Sequence, residues 1–370
     1  MPDSGRIRAL HVISDSNFGG AGRYLLTLLG RPEYAAKVDA EVACPRTGVL
    51  GKMLRDSSVR THTLPSSDRS LDPAQFLPLY GIVRRGKFDL VHTHASLVAR
   101  IASRFVPGTK IVFTKHTMGG AGSRGITARL QPFLADRVIC VSKAVLEELA
   151  HANVPRRMLD LIYNGVEIRN GRSASPAEQS LPPVPARAPG RGPIIVAAGR
   201  LEPEKGHRFL LQAMPRVLKH YPKAQLLIAG DGSLRAELKS LAYNLGLEKR
   251  ASFLGFVEDI PGLLARANAF VMPSLEEALG ISMLEAMAAS VPVVASATGG
   301  VPEVIEPGFN GLLVPPGDAD KISLSLLALF GEPGLAERLG ENGRKTVASR
   351  FSAEEQAGGT VGCYLKALRR

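Results

Sequence analysis

Two glutamates, Glu277 and Glu285, flank a stretch of chain whose backbone can bind an anion. The apolar alternation of ANAFVMPS ends at Ser274 and predicts a buried strand, and Met283 to Ala289 predicts the opening of a helix. Glu277 is therefore expected on a loop at the carboxyl end of a strand, and Glu285 in the first turn of a helix. Carboxylates in such places can accept hydrogen bonds from sugar hydroxyls.

The residues between the two glutamates supply the anion-binding part of this motif. Gly280, Ile281 and Ser282 carry backbone N–H groups that have no acceptor within the predicted helix. The positive end of a helix dipole attracts anions such as phosphate. The motif predicts a site for a phosphate with a sugar on each side, which is the composition of a nucleotide sugar. A charged N-terminus of an ordinary surface helix explains the same residues equally well, so this motif alone leaves both interpretations open.

A second motif upstream favours the phosphate site. A strand predicted at 194–198 leads into Arg200, and Lys205 precedes an amphipathic helix. Ligands of α/β folds bind at the carboxyl ends of the strands, so both cations are expected at a binding edge. Two fixed positive charges at that edge can neutralise a diphosphate.

Six segments of the C-terminal half resemble, in order, the family 4 retaining glycosyltransferases of the GT-B fold. These segments are GRLEPEKG, AGDGSL, FLGFVEDI, PSLEEALGISMLEAMAASVPVVAS, TGGVPEVI and NGLLVPPGD. The resemblance is strong over residues 194–350 and looser over the N-terminal half. One difference is Ala278-Leu279, which replaces the Gly-Phe usual after the first glutamate and bears on the shape of the sugar pocket.

The resemblance implies transfer of a hexose or N-acetylhexosamine, with retention of configuration, from a UDP- or GDP-linked sugar. The implied acceptor is lipid-linked or a saccharide, in bacterial cell-surface glycan assembly, and the departing phosphate would deprotonate it. The resemblance also implies that His116 lies against the donor sugar. The residues expected to act in catalysis are His116, Arg200, Lys205 and Glu277. The expected donor contacts are Gly19, Gly20, Arg200, Lys205, Gly230, Phe256, Val257, Glu277, Leu279, Gly280, Ile281, Ser282 and Glu285.

The charges that develop in such a reaction suggest a role for each group. Breaking the anomeric C–O bond leaves negative charge on the diphosphate and oxocarbenium-like positive charge on the sugar. Arg200, Lys205 and the helix N-terminus are expected to stabilise the leaving group. Glu277 is expected to orient the donor sugar, and Glu285 to bind the ribose. The base is expected to lie against residues that follow other strands, namely Gly230, Phe256 and Val257.

The alternation of strands and helices is interrupted once. Pro, Gly, Ser and Ala fill 16 of the 26 positions from 168 to 193, a composition typical of a linker. The predicted fold class is α/β, with two Rossmann-like, doubly wound parallel sheets facing each other across a cleft. The predicted parts are an acceptor-side domain (1–167), the linker (168–193), a nucleotide-sugar domain (194–350) and a terminal helix (351–370). By resemblance, this last helix crosses back to the first domain.

The N-terminal half carries glycine and histidine candidates. The run from Asn17 to Arg23 follows the first strand and opens a helix, so its backbone can approach a substrate closely. It is not a dinucleotide fingerprint, because Leu25 stands where the last glycine is required, and this argues against an NAD enzyme. His116 ends a predicted strand, where a ligand site and a packed histidine are both open. In the segment HTH, His94 is expected to line the cleft and His92 to be buried on the opposite face.

The excess positive charge belongs to the N-terminal domain. Residues 1–193 contain 27 Lys and Arg against 15 Asp and Glu, whereas residues 194–370 contain 19 of each. The contributing clusters are Arg84-Arg85-Lys87, Arg100 with Arg104, and GSRGITARLQPFLADR, which holds Arg124, Arg129 and Arg137. One hypothesis is docking on an anionic membrane that carries a lipid-linked acceptor. A solvated basic face is the other, and both remain open.

No metal and no cofactor is predicted, since the nucleotide sugar is a substrate. Asp318 and Asp320 precede a predicted helix and are expected to cap it. No apolar run reaches the length of a membrane span. The three cysteines lack metal or redox spacing and are expected to be packing residues: Cys44, Cys140 and Cys363. A cytoplasmic protein is expected, with peripheral attachment to the inner face of the membrane left open.

Three other functions are compatible with parts of the sequence. A GT-B relative that acts as a phosphorylase or a nucleotide-sugar epimerase would keep the donor site and change the acceptor. A nucleic-acid-binding protein would explain the pI of about 9.8. Against it, the chain has no Trp, only 5% aromatic residues and no nucleic-acid-binding motif. A sugar-nucleotide binder without activity is disfavoured because both acidic and both basic candidates are present.

Overall fold

The chain divides into two compact units, one formed by Met1–Gly165 with Ala353–Arg370 and the other by Val166–Ser352. The computed structural model describes residues 5–14, 19–65, 72–94, 96–119, 126–168 and 192–369. Most of the predicted linker, 168–193, lies outside the described residues. Within them, no helix combines the length and the apolar character that crossing a membrane requires.

The first unit is built on a parallel sheet. Its strands in the described residues are β1 (Ile7–Ile13), β2 (Val38–Pro45), β3 (Arg60–Leu64), β4 (Leu90–His94), β5 (Lys110–Lys115), β6 (Arg137–Cys140) and β7 (Leu159–Leu161). They lie in the order β3-β2-β1-β4-β5-β6-β7. Apolar residues such as Leu10 and Val91 are fully buried, as expected for strands covered on both faces.

Helices cover this sheet, and one of them comes from the far end of the chain. They are α1 (Gly20–Leu29), α2 (Pro32–Ala35), α3 (Gly48–Arg55), α4 (Phe76–Gly86), α5 (Leu97–Arg104), α6 (Ile126–Leu134), α7 (Lys143–His151) and α14 (Ala353–Leu368). The Lys366 ammonium contacts Asp160 on β7 at 2.8 Å, and the Gln356 amide donates to the carbonyl of Tyr24 at 3.1 Å. Polar contacts with residues distant in sequence therefore hold α14 against the rest of the first unit.

The second unit repeats the plan. Its described strands are β8 (Ile194–Ala198), β9 (Gln225–Ala229), β10 (Ala251–Gly255), β11 (Ala269–Met272), β12 (Val293–Ser296) and β13 (Leu312–Val314), in the order β10-β9-β8-β11-β12-β13. Its described helices are α8 (His207–His220), α9 (Arg235–Asn244), α10 (Ile260–Ala265), α11 (Ile281–Ala288), α12 (Ala319–Gly331) and α13 (Leu335–Arg350). The apolar stripe of α8 is buried through Leu210, Met214 and Val217. The predicted α/β class with two parallel sheets is confirmed.

Each sheet has one place where the strand order reverses. In the first unit it lies between the adjacent strands β1 and β4, and in the second between β8 and β11. Open α/β sheets bind ligands just outside the carboxyl ends of the strands at such a point. The segments that follow β8 and β11 contain Arg200, Lys205 and Glu277, and His94 ends β4.

Candidate functional site

The centre of the candidate site in the second unit is a contact between Lys205 and Glu277. The Lys205 ammonium lies 2.7 Å from Oε2 of Glu277, and the Ser274 hydroxyl donates to the same oxygen at 3.3 Å. The two charged side chains retain 20% and 13% of their exposure. The structure therefore brings together one predicted cation and one predicted carboxylate at the carboxyl end of β11.

A glycine allows the lysine-bearing loop to approach β11. Gly206 has a φ of 64°, and a Cβ atom there would lie 2.1 Å from the carbonyl oxygen of Pro273. The backbone N–H groups of Leu275 and Glu276 both donate to the carbonyl of Glu204, at 2.8 and 3.2 Å. The loop after β8 and the loop after β11 are thus joined by backbone contacts.

Arg200 lies in the same loop but has a different partner. Its guanidinium donates to Oε1 of Glu204 at 2.7 Å, and its side chain is 54% exposed. The Nε2 atom of His207 donates to the Arg200 carbonyl at 3.1 Å. Burial lowers the pKa of His207 to about 4, so this histidine is neutral and serves to hold the loop. Sequence reasoning had given no role to Glu204 or His207.

The N-terminus of α11 faces the end of β8. Gly280 precedes the helix with a φ of 93°, and the Ser282 hydroxyl donates to the carbonyl of Ala198 at 3.0 Å. The helix begins at Ile281, which corrects the predicted opening at 283. The expectation that Glu285 lies in the first turn was wrong, because the left-handed Gly280 lets the helix start early and leaves no acidic residue in that turn. Glu285 is half-buried one turn later.

The residues expected to frame the base differ in what they can offer a ligand. Phe256 is 44% exposed after β10, whereas the side chains of Val257 and Leu279 are buried at 6% and 0%. Leu279 therefore can meet a ligand only through its backbone. The N–H of Gly230 donates to the carbonyl of Gly255 at 2.7 Å, which joins the ends of β9 and β10.

A further contact links the loops after β8 and β9. The Glu202 carboxylate accepts from the Ser233 N–H at 2.9 Å and from its hydroxyl at 2.6 Å. The hydrogen bonds from Ser233 lower the pKa of Glu202 below its ordinary value. Both residues lie in segments that carried the family resemblance, GRLEPEKG and AGDGSL, and their pairing was not predicted.

The first unit places its candidates around the ends of β1, β4 and β5. Gly19 precedes α1 in extended conformation, and its carbonyl accepts from the Arg23 N–H at 3.0 Å. Gly20 opens that helix. Asn17 and Phe18 belong to the predicted loop but lie outside the described residues. His116 follows β5 and is half-buried, and its Nε2 atom lies 3.1 Å from Nδ1 of His94.

The expectation that His92 and His94 point to opposite faces was wrong. Their ring centroids are 4.3 Å apart, and both side chains are buried. The reason is that residues two apart in a strand share a face, and the residue between them points away. His11 on β1 joins them, with its Nδ1 atom 3.0 Å from Nε2 of His94. Apart from the histidines themselves, no sequence pattern indicates this cluster.

Three of these histidines are close enough to ligate one ion. The nearest ring nitrogens of His11, His92 and His94 all lie within 4.8 Å of one another. Both nitrogens of each ring, however, have hydrogen-bond partners among the described side chains. Among the aspartates considered for metal binding, Asp318 caps α12 by accepting from the Lys321 N–H at 2.8 Å.

Two arginines counted toward a basic surface are buried. Arg100 donates to Gln131 at 2.6 Å and lies over the Phe113 ring, 4.2 Å from its centroid. Arg137 donates to Asp160 at 2.7 Å and to a backbone carbonyl. The prediction that these two arginines contribute to a membrane-facing surface was wrong. Both guanidinium groups bind partners distant in sequence, and both side chains are buried within the first unit.

Two families match the chain. Residues 184–346 match the family described as Glycosyl transferases group 1, and residues 18–170 match Glycosyltransferase Family 4. An uncharacterized glycosyltransferase of Methanocaldococcus jannaschii is 31% identical over 316 residues, which cover 78% of each chain. The GDP-mannose-dependent monoacylated alpha-(1-6)-phosphatidylinositol monomannoside mannosyltransferase of Corynebacterium glutamicum is 33% identical over 228 residues, 59% of each chain.

The solved structure of HepE from Anabaena in complex with UDP-glucose has the same fold. Its TM-score is 0.83 at 21% identity, over 98% of this chain and 100% of HepE. The fold is therefore GT-B, as predicted. The chain belongs to the group 1, family 4 glycosyltransferases, and the resemblance of its motifs to that family is confirmed. It is a glycosyltransferase.

Proposed function

We propose that this protein is a retaining enzyme that moves a hexose or N-acetylhexosamine from a UDP- or GDP-linked donor to a lipid-linked or saccharide acceptor. The observation that carries the proposal is the contact of Lys205 with Glu277 at the strand-order reversal, where Ser282 fastens the N-terminus of α11. A cation, a carboxylate and a helix N-terminus match the phosphate and sugar of such a donor. HepE in complex with UDP-glucose and the GDP-mannose-dependent relative support a nucleotide-sugar donor.

In this proposal, the leaving diphosphate binds the positively charged groups of the site. When the bond between the anomeric carbon and the phosphate oxygen breaks, negative charge grows on the diphosphate. Arg200, Lys205 and the amides at the start of α11 stabilise that charge. Arg200 donates to Glu204 at 2.7 Å, and in this proposal the diphosphate replaces that carboxylate as the partner of the guanidinium group. Loss of one such stabilising group costs on the order of 10²–10³ in rate.

Glu277 binds the donor sugar through its second carboxylate oxygen, Oε1. Among the described residues, Lys205 and Ser274 both contact Oε2, and in this proposal Oε1 accepts from a sugar hydroxyl. Lys205 therefore orients this carboxylate as well as neutralising phosphate. The half-buried Glu285 binds the nucleotide ribose, and the exposed ring of Phe256 lies against the base.

His116 contributes a neutral imidazole. Burial, together with the adjacent Lys115 ammonium, lowers the pKa of His116 to about 3. A histidine that is neutral at pH 7 binds a substrate hydroxyl as a hydrogen-bond partner and not as a cation. The departing phosphate, not this histidine, takes the proton of the acceptor hydroxyl.

The reaction proceeds without a divalent metal in this proposal, because two cationic side chains supply the charge that a metal provides elsewhere. Full activity in excess EDTA supports this part. Restoration of a lost activity by Mg²⁺ or Mn²⁺ overturns it and leaves the donor assignment in place.

A thermal-shift screen against UDP-, GDP- and ADP-sugars tests the donor assignment. A bound donor stabilises the folded state by about 2.7 kcal/mol at a concentration of 100 Kd. We expect one nucleotide series to raise the Tm of the wild type and not that of Lys205→Met. The matched control is Lys239→Met, which removes an exposed lysine of α9. No shift with any nucleotide sugar, or an undiminished shift in Lys205→Met, contradicts the proposal.

We also propose that the protein works in the cytoplasm and docks on an anionic membrane through the first unit. Three apolar side chains lie exposed on adjacent helices and their ends: Leu77 at 75%, Phe105 at 63% and Phe133 at 71%. Phe76 contacts the Phe105 ring at 5.9 Å between centroids, and Arg104 donates to the Phe133 carbonyl at 2.6 Å. Exposed cations lie at the end of α4: Arg84, Arg85 and Lys87. Apolar groups beside cations fit a bilayer with anionic headgroups.

Vesicle flotation tests the membrane proposal. We expect binding to phosphatidylglycerol-containing vesicles at low salt, release at high salt, and loss of binding in Phe105→Ser/Phe133→Ser. The matched control, Phe309→Ser, changes a ring that is 48% exposed in the second unit. Equal binding to neutral and anionic vesicles, or unchanged binding by the double variant, overturns the membrane proposal alone.

A further inference from the structure

The loop after β12 makes two hydrogen bonds to the loop that carries Glu277. The Thr298 hydroxyl donates to the carbonyl of Leu275 at 2.9 Å, and the Gly300 N–H donates to the carbonyl of Glu277 itself at 3.3 Å. The strands before these two loops, β11 and β12, are neighbours and run parallel. Both loops therefore lie at the same edge of the sheet, where α/β folds bind their ligands.

The loop after β8 holds the same short segment from the other side. The N–H groups of Leu275 and Glu276 donate to the carbonyl of Glu204 at 2.8 and 3.2 Å. In the sheet, β11 lies between β8 and β12, so the segment 275–277 is hydrogen-bonded to the loops of both neighbouring strands. Leu275 takes part on both sides, through its N–H on one and through its carbonyl on the other.

Side-chain packing contributes little to the position of the segment 275–277. The Leu275 side chain is 41% exposed and Glu276 is exposed, in contrast to Ala278 and Leu279, which follow and are buried. The segment belongs to no helix or strand. Its position therefore depends on the hydrogen bonds that the neighbouring loops make to its backbone.

The ion pair with Lys205 orients the Glu277 carboxylate but does not fix the backbone that carries it. A lysine ammonium ends a flexible stem of four carbons, so it can follow a carboxylate when the loop moves. A hydrogen bond to a backbone carbonyl is lost over the same movement, because it weakens steeply with distance and angle. The contacts from the loop after β12 are of this second kind, and they hold the backbone of the segment.

Thr298 contributes to this arrangement through its side chain. The side chain is half-buried, and its one hydroxyl proton is committed to the Leu275 carbonyl, because a carbonyl oxygen can only accept. Thr298 therefore acts on the loop that carries Glu277 and does not donate a hydrogen bond to a substrate.

We propose that Thr298 is a positioning residue for Glu277. Its hydrogen bond holds the segment 275–277 where Oε1 of Glu277 meets a hydroxyl of the donor sugar. The part that concerns the sugar rests on the proposed function, whereas the holding of the segment does not. A misplacement of about 1 Å in an active site can cost about 100-fold in rate. Because the Gly300 contact remains, we expect loss of the Thr298 hydroxyl to cost about tenfold.

Amide hydrogen exchange without substrate tests whether Thr298 holds the segment. Three backbone N–H groups join the segment to its neighbours, those of Leu275, Glu276 and Gly300. We expect them to exchange about fivefold faster in Thr298→Val, because one hydrogen bond that opposes local opening is gone. Thr298→Ser keeps the hydroxyl and should restore the wild-type rates. Unchanged exchange of all three groups in Thr298→Val overturns the proposal.

Thr346→Val is the matched control for a general loss of stability. Thr346 is also half-buried, and its hydroxyl also donates to a backbone carbonyl at 2.9 Å, that of Asn342 in α13. The hydrogen bonds described for Thr346 do not involve the segment 275–277. We expect this variant to lower the Tm and to leave the exchange of the three N–H groups unchanged. Faster exchange equal to that in Thr298→Val overturns the proposal.

Kinetics with UDP-glucose and GDP-mannose, assayed separately as donors, test the consequence for the sugar. We expect Thr298→Val to lower kcat about tenfold and Thr298→Ser to restore it. The Kd values of UDP and GDP, which lack the sugar, should be unchanged in calorimetry. Wild-type kcat in Thr298→Val overturns the proposal. A rise in the Kd as large as the fall in kcat also overturns it, because the whole site would then be disturbed.

The double variant Thr298→Val/Glu277→Gln separates this inference from the proposed function. If Thr298 acts only through Glu277, its loss should lower kcat at most about twofold once the carboxylate is gone. A second tenfold loss overturns the proposal. Wild-type kcat in Glu277→Gln refutes the contact of Glu277 with the donor sugar, and with it the part of the inference that rests on the proposed function. Faster amide exchange in Thr298→Val would still assign Thr298 the holding of the segment.

Discussion

The ammonium group of Lys205 lies 2.7 Å from a carboxylate oxygen of Glu277, although 72 positions separate the two residues in the chain. Both side chains are largely buried. A buried charge without a partner costs free energy, so each of these two charged side chains offsets the cost of burying the other at the end of the sheet. In the proposed function, the phosphate contacts Lys205 and a sugar hydroxyl contacts the other carboxylate oxygen of Glu277.

Glu277→Gln keeps the shape of the side chain and removes its charge. We expect kcat to fall about 100-fold or more, because a neutral amide orients a sugar hydroxyl and balances Lys205 less well. The measurement is initial-rate kinetics with the donor found by the thermal screen. Glu276→Gln, the exposed neighbour, serves as the control and should retain activity. Equal activity of the two variants would contradict the role of Glu277.

Gly206→Ala should disturb the loop that carries Lys205. The new methyl group would lie 2.1 Å from the Pro273 carbonyl, at a φ of 64° that side chains disfavour. We expect a loss of about 1–3 kcal/mol in the free energy of unfolding, together with weaker donor binding. Urea unfolding measures the first effect.

Gly334→Ala separates strain from crowding. Gly334 has a similar φ of 73° but nothing within 4 Å of the added atom. It should therefore lose less stability than Gly206→Ala and bind donor normally. If the two variants behave alike, the close approach to Pro273 does not position the loop.

The buried histidines predict a loss of stability in mild acid. Burial lowers the pKa of His11 to about 3, whereas the unfolded chain protonates near 6.5. Between these values the unfolded state binds more protons, so stability rises with pH and falls as pH drops below about 6.5. Each such histidine contributes up to about 1.4 kcal/mol per pH unit. Thermal unfolding between pH 7.5 and 5 measures this, and His11→Gln should reduce the slope.

Ser282→Ala should loosen the start of α11 without unfolding it. The hydroxyl donates to the Ala198 carbonyl at 3.0 Å, and its loss costs about 1 kcal/mol. We expect donor affinity to fall several-fold, measured by titration calorimetry. The control is Ser252→Ala, an exposed position on β10. Unchanged donor affinity would mean that this hydrogen bond does not position the backbone amides of the helix.

Local patterns were sufficient to predict the fold and to bring Lys205 and Glu277 of the candidate site to one edge of a sheet. Strand–helix alternation indicates two parallel sheets, and the carboxyl ends of parallel strands share one edge, so the sequence alone predicts Arg200, Lys205 and Glu277 near that edge. The exact start of α11 was missed, because only the backbone conformation of Gly280 shows that the helix can begin at Ile281.

Contacts between distant parts of the chain could not be predicted from local patterns. Arg100 and Arg137 look like surface charges in sequence, yet Gln131 and Asp160 draw them inside. Tyr364 meets His92 across 272 positions. Nothing in the local sequence of α14 indicates that contact. The prediction that His92 and His94 point to opposite faces was an error of strand geometry, since alternate residues share a face.

The central claim is that Arg200, Lys205 and the start of α11 hold the diphosphate of a nucleotide sugar. Titration calorimetry of the nucleoside diphosphate, with the base identified by the thermal screen, tests it in Arg200→Met/Lys205→Met. The control is Lys239→Met/Lys249→Met, which removes two exposed lysines of the same unit. The account predicts a Kd raised about 100-fold or more in the first variant and unchanged in the control, with both folded. A wild-type Kd in Arg200→Met/Lys205→Met would contradict it.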